Sequence, residues 1–308
     1  MRVAVIGAGG VGGFLGCVLA QGGHEVSFLA RGEHLDAIRA KGLRLRSRQF
    51  GELTASAQAS NNVADLPPAD LVLVAVKMYD FAEARQAAKK ALAPGGVAAT
   101  IQNGLDAPAE LAKVVPSAQV LIGTASIEAT ILEPGVIGHL IPVHQMTLSE
   151  FDGPPTERLQ QVVGTLAAAG LTVTVAADGQ RALWDKAATL IPFATLTSAA
   201  DAGIGPILNL AESAALMQQL VEETVAVALK SGYDPRPSIA AMSAAIQQVA
   251  QAIPDFTSSM NRDFRRGNRT ELEWLTGKLV RLGAEVGVPT PRHEALYALL
   301  KLKEERAA

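Results

Sequence analysis

Hydrophobic positions in the first half of the chain come in short unbroken runs. Residues 2–6 are a β-branched run that stops at Gly7, residues 71–76 read LVLVAV, and 97–101 and 120–122 are similar. Runs of this length without polar alternation are what strands buried on both faces of a parallel sheet require. Residues 25–29 read as a further strand. Helical spacing fills the gaps at 14–21, closed by Gly22-Gly23, and at 81–92 and 107–114. Strands alternating with helices imply right-handed crossovers and a doubly wound sheet. From 127 to 150, short β-like pieces broken by Pro134-Gly135 and Pro142 predict hairpin strands that extend the sheet, and a helix at 155–169 and a strand at 172–175 complete this half.

Strand signals vanish beyond Asp178-Gly179. Ala/Leu-rich helical stretches follow at 180–200, 208–230, 238–250, 270–286 and 293–305, with Gly and Pro punctuating the joins at 203–206, 232–237 and 287–291. The expected organisation is an α/β domain over residues 1–177 and an all-α domain over 178–308.

Composition narrows the function classes. With 308 residues, 49% hydrophobic and 19% charged, the chain can fill two cores. Its net charge of −3 argues against a nucleic-acid partner, because binding phosphate polymers needs clustered positive charge. Arg262, Arg265, Arg266 and Arg269 are spaced to share one helical face, read as a solvated face or a cofactor-phosphate contact. The single cysteine, Cys17, excludes an internal disulfide and fits a reducing compartment as a small buried hydrophobe. No stretch reaches the roughly 18 apolar residues that span a bilayer, and the first apolar run ends at once in glycines, so a cytoplasmic protein with no membrane partner is expected. His24, His34, His139, His144 and His293 lack metal-ligand spacing, and no G-x-S-x-G elbow is present.

The chemistry starts at Gly7-Ala8-Gly9-Gly10-Val11-Gly12. G-x-G-x-x-G is weak alone, but here it follows a strand, opens a helix and leads to a second strand, the context of a Rossmann-type dinucleotide site. Gly7 permits the turn, Gly9 lets backbone approach a pyrophosphate, and Gly12 allows close helix–strand packing. At the end of the second strand, where an acid would accept from the ribose of NAD, stands Arg31. An arginine there pairs with the extra phosphate of NADP, so NADP(H) is the expected cofactor; the alternative is a solvated loop arginine. Glu33, close by, falls in a helix first turn, where an acid needs no further role.

The glycine motif with Arg31, Val74-Ala75-Val76-Lys77, Gln102-Asn103-Gly104, Trp184-Asp185-Lys186, and Ser258-Ser259-Met260 through Thr270-Glu271 together resemble the ketopantoate (2-dehydropantoate 2-) reductase family over nearly the whole chain. The register SSMxxDxxxxxxTE is the most specific piece. The resemblance implies an NADPH-dependent reductase of a small-molecule 2-oxo acid, with the substrate between a Rossmann-type domain and an all-helical one. It implies Lys186 as catalytic lysine and Glu271 as substrate-binding glutamate with a share in catalysis. Lys77, Asn103 and Ser259 match further active-site positions; Lys77, Asn103 and Glu271 count also as cofactor contacts.

Read without the resemblance, these residues keep alternatives. Lys77 and Asn103 follow strands at the carboxyl edge, where open α/β sheets bind ligands, but a lysine there is often a solvated terminus and Asn-Gly a mere turn. Lys186 lies among apolar residues, which lowers an ammonium pKa and suits proton donation; the alternative is a lysine that snorkels to the surface. Glu271 fits an ion pair or a helix start equally well. One departure stands out: the family's lysine helix carries asparagines four and eight residues on, where this chain has Leu190 and Ala194. Thr189, Thr195 and Thr197 are candidate replacements in a different helical phase. A bulkier or more apolar 2-oxo acid, or a catalytically silent NADP-binding sensor, therefore stays beside ketopantoate reduction. A homodimer is compatible with the helical half, but no residue specifies one.

Overall fold

The computed structural model describes residues 1–235 and 237–307. The chain divides into two compact units, Met1–Gly179 and Gln180–Ala308.

The first unit is built on one ten-stranded sheet with helices around it. In chain order it contains β1 (Arg2–Ile6), α1 (Gly10–Gln21), β2 (Glu25–Leu29), α2 (Gly32–Lys41), β3 (Leu43–Ser47), β4 (Gly51–Ala55), β5 (Gln58–Ser60), β6 (Ala69–Val74), α3 (Phe81–Ala91), β7 (Leu92–Thr100), α4 (Ala107–Ala112), β8 (Val120–Glu133), β9 (Val136–Glu150), α5 (Glu157–Ala168) and β10 (Thr172–Val175). The sheet order is β4-β3-β9-β8-β7-β6-β1-β2-β5, with β10 beside β9. From β8 through β7, β6, β1, β2 to β5 all pairings are parallel. The uninterrupted apolar strands belong to this stretch: Val3, Ala4, Val5, Leu71, Val72 and Leu73 are all buried.

Helix α1 packs onto the sheet through a glycine face. A Cβ at Gly16 would lie 2.2 Å from Cε1 of Phe28, so only glycine lets that ring lie flat under the helix. Phe14, Leu15, Leu19 and Phe28 are each fully buried, and burying such side chains stabilises by about 1.5–3 kcal/mol apiece. Cys17 belongs to this core. Burial pushes its thiol up to about 12, so it stays protonated at neutral pH.

Several elements differ from the sequence reading. Helix α1 begins at Gly10 rather than at residue 14, because Gly9 already serves as its N-cap. The pieces at 127–150 are the outer parts of two long strands, β8 and β9, that turn at Pro134-Gly135. Pro142, which cannot donate to the ladder, falls where the register slips between the Ile127–His144 and Ala129–His139 pairs. Strand β3, LRLRS, alternates Leu with Arg, and the strands at the two ends of the sheet order, β4 (GELTA) and β5 (QAS), are short and partly polar, quite unlike the interior runs.

The second unit is helical: α6 (Gly179–Ala200), α7 (Ile204–Asn209), α8 (Ala211–Lys230), α9 (Ile239–Ala252), α10 (Ser259–Arg265), α11 (Thr276–Val286) and α12 (Pro291–Ala307). Ser238 and Ser258 cap α9 and α10 by accepting from the backbone N–H three residues on. Buried Glu223 of α8 accepts from the backbone N–H groups of Arg292 and His293 in the first turn of α12, and from Nδ1–H of His293 at 2.8 Å. Burial alone would raise the Glu223 pKa, but the hydrogen bonds from His293 and Arg292 hold it down to about 2.

Two sequence expectations are corrected in this unit. The stretch 270–286 is not one helix: a 3-10 turn over Leu272–Trp274 precedes α11, and Leu275 between them has a non-helical backbone. The four arginines do not share a helical face, because α10 stops at Arg265. Arg262 donates to the Thr257 carbonyl, Arg265 pairs with Asp201, and Arg269 lies over the Trp274 ring.

Candidate active site

In the first unit the loops that follow β1, β2, β6 and β7 leave the carboxyl ends of neighbouring parallel strands, the edge where open α/β sheets bind ligands. Gly7 turns the chain with φ +101°, a conformation that a side chain disfavours, and its N–H donates to the Leu29 carbonyl. A Cβ on Gly12 would sit 2.1 Å from the Gly7 oxygen and 2.8 Å from Cβ of Ala75. The close helix–strand packing expected of Gly12 is therefore present.

Gly10 has a different role from that of a ligand contact alone: a Cβ there would strike the Ala129 carbonyl at 2.2 Å, so this glycine lets β8 lie against the loop. Gly9 faces open space, with nothing within 4 Å of its missing Cβ. It caps α1, whose first turn holds no acid to offset the positive helix end. Open backbone N–H groups at an uncompensated helix N-terminus fit the pyrophosphate of a dinucleotide. Ala8 is buried and Val11 half-buried beside this cradle.

Two side chains to which the sequence reading assigned no site role, His34 and Gln102, brace this edge. His34, in the first turn of α2, approaches the Ala8 carbonyl through Nε2 at 2.8 Å and accepts from the Gly135 N–H through Nδ1 at 3.0 Å. These bonds fix the Nε2–H tautomer. Burial lowers the His34 pKa, which keeps the ring neutral, against the smaller pull of the Ala8 carbonyl. Gln102 is buried, donates to the Val74 and Val76 carbonyls at 2.7 and 3.2 Å, and accepts from the Ile101 N–H. It thereby bolts the end of β7, where Asn103 follows, to the segment that delivers Lys77. Both Lys77 and Asn103 are half-buried at this edge.

Arg31 caps α2 at the end of β2 with its side chain 75% exposed, and its Nη2 lies 2.5 Å from Oδ2 of Asp80. That leaves most of the guanidinium accessible to an anion.

In the second unit, Lys186 lies on α6 between buried Leu183, Trp184, Ala187 and Ala188. The side chain keeps some solvent access, yet the packing is dense enough that desolvation pulls its pKa down to about 8, against the attraction of the Glu271 carboxylate. Glu271 is 4% exposed and stands just ahead of the 3-10 turn rather than on a helix. Its neighbour Thr270 donates to Glu304 of α12, which fixes the segment.

Ser259 is the first residue of α10, half-buried. The adjoining Ser258 accepts from the Thr197 hydroxyl of α6 at 3.0 Å, so the start of α10 is tied to the lysine helix. Leu190 is half-buried and Ala194 buried. Thr195 is bonded to Thr276 at 2.7 Å, and Thr197 donates also to the Phe193 carbonyl. These two hydroxyls are used inside the helical core, so they do not replace the missing amides; Thr189 is half-buried on the same helix.

Among the described residues, no cluster of three or more His, Cys, Asp or Glu is arranged to hold a metal, and no helix is long and apolar enough to cross a membrane.

The comparisons with known proteins agree along the whole chain. A family model described as "Ketopantoate reductase PanE/ApbA" matches residues 3–153, and its C-terminal counterpart matches residues 178–304. The chain is 32% identical to the 2-dehydropantoate 2-reductase of Halobacterium salinarum over 99% of both proteins. A solved PanE/ApbA family ketopantoate reductase from Ralstonia eutropha superposes with a TM-score of 0.91 at 31% identity, covering 100% of this chain and 99% of that one. The same fold recurs in a D-mandelate dehydrogenase solved with NADH and anilino(oxo)acetate, at TM-score 0.91 and 20% identity over 100% of this chain and 99% of that one.

Proposed function

The chain belongs to the ketopantoate reductase family of oxidoreductases, and from that premise we propose that it reduces 2-dehydropantoate (ketopantoate) to pantoate with NADPH. In this reading residues 1–177 carry the cofactor and residues 178–308 bring the proton donor. Gly7, Ala8, Gly9, Gly10, Val11 and Gly12 form the phosphate cradle, and Arg31 takes the extra phosphate of NADP.

When bound in that cradle, a reduced nicotinamide would supply the hydride for the substrate's carbonyl carbon. As that C–H bond forms, the carbonyl π pair moves to oxygen, and Lys186 Nζ delivers the proton that makes the hydroxyl. Asn103 donates to the same oxygen and Lys77 adds positive charge near it, which favours a transition state in which negative charge is developing. Ser259 binds the carboxylate or hydroxyl end of the substrate. Glu271 holds a substrate hydroxyl and keeps Lys186 protonated, and the family resemblance counts it, like Lys77 and Asn103, among the cofactor contacts.

One observation supports this reading most: a lysine with its pKa lowered to about 8 by burial, with a buried carboxylate beside it. An ordinary surface lysine near 10.5 would be a poorer acid at neutral pH. The test is NADPH oxidation by the purified chain with ketopantoate, in wild type and Lys186→Ala. Turnover that falls at least about 100-fold in the variant, with nucleotide binding intact, is expected from the loss of a general acid; equal turnover would refute the role of Lys186.

A second reading keeps the chemistry and changes the substrate. Leu190, half-buried, puts an apolar side chain on the lysine helix, Ala194 further along it is buried, and Thr195 and Thr197 are engaged elsewhere. A bulkier or more apolar 2-oxo acid would fit such a pocket. Higher kcat/KM for one of these than for ketopantoate, in the same assay, selects this reading.

A further inference from the structure

We propose that Asp80 sets the cofactor preference of this chain: paired with Arg31, its carboxylate disfavours the extra phosphate of NADP, so that NADH is accepted beside NADPH. The inference rests on the reading of Arg31 as the phosphate-binding residue.

The geometry is local to the first unit. β2 and β6 flank β1 in the sheet, so the chain segments leaving their carboxyl ends run side by side next to the glycine cradle. Arg31 stands at the end of one and Asp80 at the end of the other, with Arg31 Nη2 2.5 Å from Asp80 Oδ2. Asp80 is the N-cap residue of α3, a place where an aspartate ordinarily accepts from the backbone of its own helix. Here its side chain makes no such bond and is turned to Arg31 instead.

Two consequences follow for a nucleotide at this edge. A guanidinium has five N–H donors and can serve two acceptors, so the ion pair does not block Arg31. A phosphate arriving there, however, meets a carboxylate within a few ångströms of the same guanidinium, and the like charges repel. The adenosine ribose of NADH brings hydroxyls in place of the phosphate. These are donors, and a carboxylate beside them is the usual acceptor in NAD-specific sites. Arg31 thus favours one cofactor while Asp80 favours the other, and the position of both at one contact makes the preference shallow.

The test is titration of the full chain with NADPH and with NADH, for wild type, Asp80→Asn, Arg31→Ala and the double variant, with thermal melting as the folding control. Wild type should bind the two nucleotides within about tenfold of each other. Asp80→Asn should shift the ratio of dissociation constants toward NADPH by about five- to tenfold, the size expected for one neighbouring charge at a solvated site. Asp80→Gln should do the same if Asp80→Asn fails to fold. In the double variant the shift should disappear, because Arg31 no longer draws the phosphate in. If Arg31→Ala weakens NADPH selectively while both Asp80 variants leave the ratio unchanged, the inference is overturned and the Arg31 reading stands. If Arg31→Ala weakens both nucleotides equally, the Arg31 reading falls and takes the inference with it.

Discussion

Replacing Glu271 by Gln removes a charge while keeping its shape, and its effect on Lys186 can be worked out. Lys186 sits at about 8 against an ordinary 10.5, a gap that corresponds to about 3 kcal/mol of penalty on the ammonium. Desolvation sets that penalty and the Glu271 carboxylate partly offsets it. A close charge at an effective dielectric near 20, reduced for the solvent access Lys186 retains, is worth about 1–2 kcal/mol, or roughly one pKa unit. Glu271→Gln should therefore lower the Lys186 pKa from about 8 to about 7.

A proton donor must be protonated in the free enzyme, so kcat/KM for carbonyl reduction falls about tenfold per pH unit above its pKa. The assay is the kcat/KM profile of both forms from pH 5.5 to 9.5, numbers chosen to bracket roughly these two values. Well below the pKa both enzymes carry the proton, and their ratio reports only the loss of direct contact with substrate. Well above it, the same ratio should drop by a further tenfold or so. A ratio that is constant across the range would refute the coupling between Glu271 and Lys186. A wild-type profile with no alkaline limb near 8 would refute Lys186 as the donor.

Gly9→Ala should fold normally, since nothing lies within 4 Å of the new methyl, yet weaken nucleotide binding by about tenfold or more through contact with the phosphates. Gly12→Ala places its methyl 2.1 Å from the Gly7 oxygen and should destabilise the first unit by about 1–3 kcal/mol; melting and titration separate the two. His34→Ala removes the bonds to Ala8 and Gly135, at about 1–2 kcal/mol. Because the folded pKa of His34 is lowered, its contribution is present above about 6.5 and is lost as pH falls through the folded value, so the variant should flatten that part of a urea-midpoint profile. Glu223, held at about 2, stabilises above its ordinary 4.5 and loses that contribution as pH falls toward 2. Glu223→Gln should cost about 2–3 kcal/mol at pH 7, with the difference shrinking below about 4.

How much of this was legible in the sequence depends on how far the partners lie along the chain. The glycine cradle is local along the chain: strand, turn and helix fall within the first 21 residues, although the residues that crowd Gly7 and Gly10, Val76 and Ala129, come from later strands and loops. The interior strands were legible because burial on both faces leaves no polar position. Strands β3 to β5 were not, because β3 alternates Leu with Arg and β4 and β5 are short and partly polar, so none has an unbroken apolar run. His34 carries no pattern at all, and Gln102 belongs to a quoted motif that does not reveal what its side chain holds. The former bonds to Gly135, 101 residues away, and the latter to Val74, 28 residues away, so only the folded chain gives them a role. The helix expected at 270–286 failed at Leu275, where the backbone turn that presents Glu271 overrides helical spacing.

Under the proposed function, nucleotide binding and proton transfer would rest on this chain in different ways and tolerate change differently. The proposed phosphate cradle depends on the glycines' missing side chains: at Gly7, Gly10 and Gly12 a Cβ would strike neighbouring atoms, so the motif stays readable. The acidity of Lys186 depends on how closely Leu183, Trp184, Ala187 and Ala188 enclose it, and many apolar residues could supply the same enclosure. Leu190 and Ala194 are two further apolar residues on that helix. They leave the means of lowering the Lys186 pKa intact, and under the proposed function they would take the place of polar groups for a hydroxylated substrate. With Thr195 and Thr197 bonded to Thr276, Phe193 and Ser258, a change of rotamer cannot restore those groups without breaking core hydrogen bonds. Under the proposed function, substrate preference would therefore shift by substitutions that leave Lys186 and the glycine motif untouched.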